Sequence, residues 1–250
     1  MLLAVDIGNT NISCGLFGKN RRAASFFDIP LAPGFGPSLD KKLKTLPPVS
    51  SCMACSVAPK SAKTVFRLVS RATGVKPLLI GSDIAVPLKS LYRKGSNLGQ
   101  DRLVNAYAAS LLYRPPLIVI DAGTAITLDI VSSKNEYLGG MILPGVRMSL
   151  SSLKNGTAML PDAVLSRPRS LIGRDTEGCM LSGTVLGAAD ACGGLIRRIK
   201  KETGNRTRVI GTGGGMALIK KYFPCPVSII EELTLKGINF IHEYYGKNRS

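Results

Sequence analysis

Two stretches of the chain share one pattern of apolar and polar positions. Residues 2–17, LLAVDIGNTNISCGLF, and residues 117–131, LIVIDAGTAITLDIV, each run an apolar segment into an Asp. A Gly and a Thr follow, and then a second β-prone segment with partial alternation. Each stretch predicts a hairpin, with turns at 6–10 and 121–124. Repetition at this spacing predicts a chain built from two related halves.

The remaining pattern fills in both halves. In the first it predicts a third strand at 21–27, a Pro- and Gly-rich loop at 30–37, and a short basic helix at 38–44. A buried strand follows at 49–57, then a helix at 60–73 closed by Gly74, a short strand at 78–80 and a loop at 87–100. Residues 101–112 place apolar side chains at 103, 106, 107 and 111, a helical stripe, with Asp101 suited to the N-cap. Tyr113-Arg114-Pro115-Pro116 breaks that helix and sets the expected boundary, giving domains 1–114 and 115–250. The second half predicts its third strand at 136–143, a helix from 146, a long small-residue helix over 174–201 and a strand at 209–211. A glycine turn at 211–215 leads directly into a helix, and a terminal helix spans 233–245. Strands and helices alternate in both halves, so the class is α/β.

Composition narrows the setting. With 250 residues, 45% apolar and 20% charged, the chain can bury a substantial core, and no segment is expected to reach the length of a membrane span. The apolar start at 2–5 is too short for a signal peptide, so a cytoplasmic protein is expected. The net charge of +17 is spread evenly: residues 1–129 carry 16 basic and 7 acidic side chains, and residues 130–250 carry 17 and 9. Without one basic face, or aromatics interleaved with the basic clusters, the pattern is that of solvated helix surfaces, and nucleic acid is not the expected partner. A diffuse positive field still attracts ATP and other anions. Of six cysteines only Cys52 and Cys55 form a CxxC, inside an apolar run. As strand residues three apart they would face opposite sides of a sheet, so buried, reduced thiols are expected. The single histidine, His242, has no partner suggesting a metal site and reads as structural.

The two turns carry the candidate chemistry. Glycine lets a backbone approach a phosphate, turn N–H groups and a Thr hydroxyl can donate to phosphate oxygens, and a strand-end Asp can hold a cation or its waters. One such turn is ordinary hairpin chemistry. Two related copies predict a nucleotide bound across a cleft between domains. The 211–215 turn lacks the GxGxxG pattern and acidic ribose ligand of a dinucleotide site, and no Walker A motif is present.

Together, Asp6-Ile7-Gly8-Asn9-Thr10, Gly99-Gln100-Asp101-Arg102, Asp121-Ala122-Gly123-Thr124, Tyr137-Leu138-Gly139-Gly140 with Pro144-Gly145, and Gly211-Thr212-Gly213-Gly214 resemble the type III pantothenate kinases. These belong to the superfamily of acetate and sugar kinases, heat-shock ATPases and actin. The resemblance implies two duplicated actin-like (ribonuclease H-like) domains, each with a mixed sheet flanked by helices. It also implies phosphorylation of pantothenate to 4'-phosphopantothenate by ATP, the first step of coenzyme A synthesis, in a homodimer.

By the same resemblance, Asp6, Ile7, Gly8, Asn9, Thr10, Asn11, Ile12 and Ser13 would bind the ATP phosphates, with Asp6 near Mg2+ and Thr124 touching ATP. Asp101 would be the general base. Tyr92, Gly99, Gln100, Asp101, Arg102 and Thr176 would contact pantothenate, Thr176 from across the dimer interface. Asp121 would hold a monovalent cation, K+ or NH4+. Taken alone, Asp101 reads as a helix N-cap, and Arg102 either pairs with the pantothenate carboxylate or forms a structural ion pair. Two other functions stay open: a regulatory accessory protein linked to nucleic acid, as some family members were first described, and a superfamily kinase with another small acceptor.

Overall fold

The computed structural model describes residues 1–18, 23–93 and 97–247. The chain divides into two compact units, Met1–Leu88 with Arg93–Leu111 and Glu232–Ser250, and Lys89–Tyr92 with Leu112–Glu231. The break at 111/112 lies three residues before the expected boundary. The terminal helix, expected with the second half, groups with the first.

The first unit is organised on a central hairpin. Strand β1 (Leu2–Ile7) pairs antiparallel with β2 (Asn11–Phe17), which pairs with β3 (Ala23–Pro30); residues 21 and 22 of the expected third strand lie outside the described residues. On its other side β1 runs parallel to β4 (Ser51–Ser56), which pairs with β5 (Leu78–Leu79), so the order is β3-β2-β1-β4-β5. Alternation along β1 sends Leu3, Val5 and Ile7 into a core with Leu39 and Leu43 of α1 (Phe35–Leu43) and Val65 and Leu68 of α2 (Pro59–Thr73). Helix α1 begins three residues earlier than expected, at Phe35. Helix α2 starts with Pro59 in its first turn and ends at Gly74, whose φ of 72° is the left-handed conformation a closing glycine supplies.

Helix α7 (Leu233–Lys247) packs on β1, β2 and β4. With a helix on each side, all four residues 52–55 of β4 are buried, and Cys52 and Cys55 are free thiols as expected. The return of α7 has a local cause. A Cβ at Gly237 would stand 2.6 Å from Val104 Cγ1 and 2.9 Å from the Val104 carbonyl oxygen on α3 (Gln100–Leu112), so only glycine permits this approach. Thr234 Oγ1 also donates to Asn105 Oδ1 at 2.9 Å.

The second unit repeats the plan. Strands β7 (Leu117–Ala122), β8 (Ala125–Val131) and β9 (Glu136–Pro144) form the antiparallel meander. Strand β10 (Arg208–Thr212) runs parallel to β7, with β11 (Ser228–Ile229) beyond it. One strand is added: β6 (Lys89–Ser90), inside the stretch expected to be a loop, pairs parallel with β9, giving the order β11-β10-β7-β8-β9-β6. Helices α4 (Val146–Asn155) and α5 (Thr176–Thr203) follow β9. The helix expected after the glycine turn is a single turn, α6 (Met216–Ile219), continued by a 3-10 turn at Lys220–Tyr222.

Helix α5 corrects one expectation. Its 28 residues, with a mean hydropathy of 1.4 over 18 of them, are long and apolar enough to cross a membrane. Val185, Ala189, Cys192 and Ile196 are instead buried with Ile118, Ile120, Leu128 and Ile130 of the sheet, which makes α5 the core helix of this unit. The apolarity expresses burial in protein.

Candidate functional site

In the first unit the site is built on the end of β1. Asp6 is half-buried and lies level with Ser13 on β2 and Cys55 on β4. The chain then turns, closed by Gly8 N–H donating to the Asn11 carbonyl at 2.9 Å, and leaves Asn9, Thr10 and Asn11 exposed. Ile7 and Ile12 have wholly buried side chains, so of the eight predicted phosphate-binding residues these two can offer only backbone.

Gly99 and Asp101 are fitted to each other at the start of α3. A Cβ at residue 99 would lie 2.5 Å from Asp101 Oδ1. Asp101 lies within the first helical turn, one residue inside its start, and its Oδ1 accepts from the Arg102 N–H at 2.9 Å. It is therefore not the N-cap, which leaves its carboxylate available for other work. Burial raises the Asp101 pKa above the ordinary carboxylate value, against the lowering influence of the Arg102 N–H and guanidinium. Arg102 itself is buried, 6% exposed. The Gln100 side chain turns back, Nε2 donating to the Leu98 carbonyl at 3.3 Å and packing where a Cβ on Gly81 would clash.

Sequence reasoning missed Cys55 as a member of this neighbourhood. Burial pushes its thiol pKa up, and the nearby Asp6 and Asp101 carboxylates push it further, so the three groups sit together. The parallel register of β4 on β1 brings Cys55 beside Asp6, and a CxxC read by itself carries no signal of that.

In the second unit Asp121 occupies the place on β7 that Asp6 has on β1. Here the turn is braced by neighbouring backbone. Gly123 N–H donates to the Ala125 carbonyl at 3.0 Å, and Gly145 N–H to the Thr124 carbonyl at 3.1 Å. A Cβ on Gly145 would stand 2.2 Å from that oxygen. From the other side Gly213, at φ 86°, lies where a Cβ would meet Asp121 Oδ1 at 2.5 Å, and Gly215 N–H donates to the Ala122 carbonyl at 2.8 Å. The glycine turn after β10, weak evidence in the sequence alone, is thus one wall around Asp121. Thr124 is half-buried at this turn.

Tyr92 belongs to the second unit, carried by the segment Lys89–Tyr92, whereas Gly99 through Arg102 belong to the first. Thr176 is the exposed first residue of α5, next to Asp175, whose Oδ1 caps the helix by accepting from the Gly178 N–H at 2.6 Å.

Among the described residues no three His, Cys, Asp or Glu side chains cluster as a metal cage. Mg2+ needs no such cage, since it keeps several waters and takes one or two carboxylates together with substrate phosphates.

The family model for type III pantothenate kinase matches residues 2–198. The type III pantothenate kinase of Persephonella marina is 34% identical over 257 residues, covering 98% of this chain and 100% of the relative. That of Rhodospirillum rubrum is 36% identical over 251 residues, covering 97% and 98%. Among solved structures, a Campylobacter jejuni protein assigned to the Baf family of transcriptional activators aligns with a TM-score of 0.60 at 21% identity, over 98% of this chain and 99% of that one. A ROK family glucokinase from Streptomyces griseus, in complex with glucose and AMPPNP, aligns at 0.56 with 13% identity, over 97% and 99%. At these identities the structural likeness speaks for the fold, an actin-like sugar-kinase architecture. The sequence matches speak for the family, and the chain belongs to the type III pantothenate kinases.

Proposed function

We propose that this protein transfers the γ-phosphoryl group of ATP to the primary hydroxyl of pantothenate, giving 4'-phosphopantothenate and ADP, the first step of coenzyme A synthesis, in the cytoplasm. The observation that carries the reading is the half-buried Asp101 carboxylate, held off the helix N-cap and close to the Asp6 turn.

A loose phosphoryl-transfer transition state needs positioning and charge neutralisation more than covalent help. The exposed Gly8–Asn11 turn supplies backbone donors and the side chains of Asn9, Thr10 and Asn11 for phosphate oxygens, with Ser13 on the adjoining strand. Asp6 would hold Mg2+, which would supply positive charge against those oxygens. The pantothenate oxygen bonds to the γ-phosphorus as the bond from that phosphorus to the bridging β–γ oxygen breaks; the hydroxyl proton goes to Asp101, and ADP leaves. The raised pKa of Asp101 makes it a better proton acceptor than an ordinary carboxylate. Gly99 gives the acceptor room at the base.

The braced turn at Asp121 suits a monovalent cation. The Asp121 carboxylate would offer oxygen ligands to K+ or NH4+, and Thr124 on the same turn would touch ATP. Gln100 would meet pantothenate through its backbone, since its side chain is turned away. Arg102 and Tyr92 complete the contacts to that substrate.

A homodimer is part of the proposal. The segment leading into α5 carries apolar side chains left bare in the single chain, Met159 at 92% exposed and Ile172 at 77%, of the kind a second copy covers. Thr176, which follows directly, would then reach the partner's substrate.

The test is ADP release by the purified protein with Mg2+, ATP and pantothenate, with and without K+, beside Asp101→Asn. Turnover should require pantothenate and K+ and fall by about 10²–10⁴ in the variant. Its melting temperature should hold or rise, because a buried carboxylate with a raised pKa opposes folding once ionised. Turnover with a different hydroxyl acceptor only, or nucleic-acid binding without turnover, would replace the reading.

A further inference from the structure

We propose that Asp129 and Tyr137, buried in the second unit, are positioning residues for the substrate-contacting ring of Tyr92 and set the affinity for pantothenate without touching it. The inference rests on the function proposed above.

Tyr137 on β9 is wholly buried, yet its hydroxyl donates to Asp129 Oδ1 on β8 at 2.7 Å. The other carboxylate oxygen, Oδ2, accepts from Thr127 Oγ1 at 3.0 Å. Asp129 is 1% exposed, so a carboxylate has been taken out of water and both its oxygens are used. Apolar residues of the same shape would serve a sheet interior as well or better, which directs attention to what the pair holds in place.

It holds Tyr92. The ring centroids of Tyr92 and Tyr137 are 6.2 Å apart, with the planes tilted by 48°. The segment bearing Tyr92 is fastened to the same part of β9: Leu91 N–H donates to the Tyr137 carbonyl at 2.8 Å, Ser90 stands level with Tyr137, and Lys89 pairs with Glu136 at 2.6 Å. Tyr92 also lies across Gly139, whose φ is 116° and where a Cβ would stand 3.5 Å from the ring. Backbone pairing places the Tyr92 Cα; the Tyr137 ring and bare Gly139 set the plane of its side chain. The bond to Asp129 keeps Tyr137 from sliding or tipping, so a shift of well under 1 Å is resisted at one remove from the substrate.

The experiment compares Tyr137→Phe, Asp129→Asn, their double variant and Gly139→Ala with the wild type, measuring kcat and both KM values in the intact protein. Tyr137→Phe keeps the ring and loses the bond. Its KM for pantothenate should rise about 5–20-fold, with kcat within about two-fold and KM for ATP unchanged. The double variant should be no worse than the more affected single one, because both remove the same bond. Gly139→Ala strains the β9 backbone beside the Tyr92 ring, because φ there is 116°, removes neither partner of the buried pair and should raise the same KM, which keeps the test decisive if the Asp129 variant folds poorly.

Equal changes in both KM values, or an unchanged KM for pantothenate in Tyr137→Phe and Gly139→Ala, would overturn the inference while leaving the proposed function standing. A wild-type protein with no pantothenate-dependent turnover would overturn both.

Discussion

The two strand-turn-strand copies share a scaffold and differ at the turn. Strands β1 and β7 have the same burial pattern, buried at four positions, half-buried at the Asp and buried again. In both units the second strand shifts register against the third, between Leu16 and Phe17 on β2 and between Ile130 and Val131 on β8. The sheet orders also correspond, strand for strand, once β6 is set aside. Yet Ile7 and Ile12, the last paired residues of the first hairpin, have four residues between them, whereas Ala122 and Ile126 have three. The longer turn is open, with Asn9, Thr10 and Asn11 exposed. Gly145 on one side and Gly213 with Gly215 on the other close around the shorter one. A single scaffold thus yields an exposed turn and a turn braced by neighbouring glycines, depending on what the neighbouring chain does.

The contrast is sharpest under substitution by alanine. Gly145→Ala forces a Cβ against backbone oxygens that cannot move aside, and it should cost roughly 1–3 kcal/mol or more, read as a lower urea midpoint at unchanged slope. In the open turn Gly8→Ala meets only the Asn11 carbonyl, at 3.2 Å, and should cost less than about 1 kcal/mol. Similar losses at both positions would erase the distinction between the turns.

A second asymmetry is acid-base. Asp101 lies near the first turn, and in the proposed function its ionised form is the working one. The acid limb of kcat/KM should therefore fall at a pH above the ordinary Asp value of 3.8, activity being present above the limb and lost as pH drops through it. A limb at or below 3.8 in a protein still folded would assign the base elsewhere.

The smallest effect concerns α1 and α2, a helix pair on the first unit's sheet. Asp40 accepts from Arg71 at 2.6 Å and Lys44 at 2.7 Å, and these hydrogen bonds lower its pKa. The pair is solvent-exposed, so Asp40→Asn should lower the melting temperature only slightly, and less so in high salt. Because the pKa is lowered on folding, that contribution is present above the unfolded value and lost as pH falls through the folded one.

Much of this was legible in the residues. Both hairpins, the later strands β4 and β10, Gly74 as a helix end and the long α5 follow from period and punctuation, which are local. So does the family, because the paired Asp-Gly-Thr turns and Gly-Gln-Asp-Arg are contiguous motifs. Strand β6 was hidden, since two residues in a polar stretch carry no period and gain strand geometry only from the edge of β9. Helix α7 was read as a helix and assigned to the wrong half, because a helical stripe says that a face is buried and nothing about which sheet buries it.

By itself, then, the sequence determined element type, the duplication and the set of residues able to do the chemistry, all consequences of backbone preference and side-chain identity over short range. Tertiary structure alone decided which of those residues meet. It set Cys55 beside Asp6 and Asp101 through parallel register, closed Gly145 and Gly213 on Asp121, fixed Tyr92 to Tyr137 and Asp129, and returned α7 to the first sheet. Each of these joins residues far apart in the chain, and their proximity is selected by close packing of the folded whole.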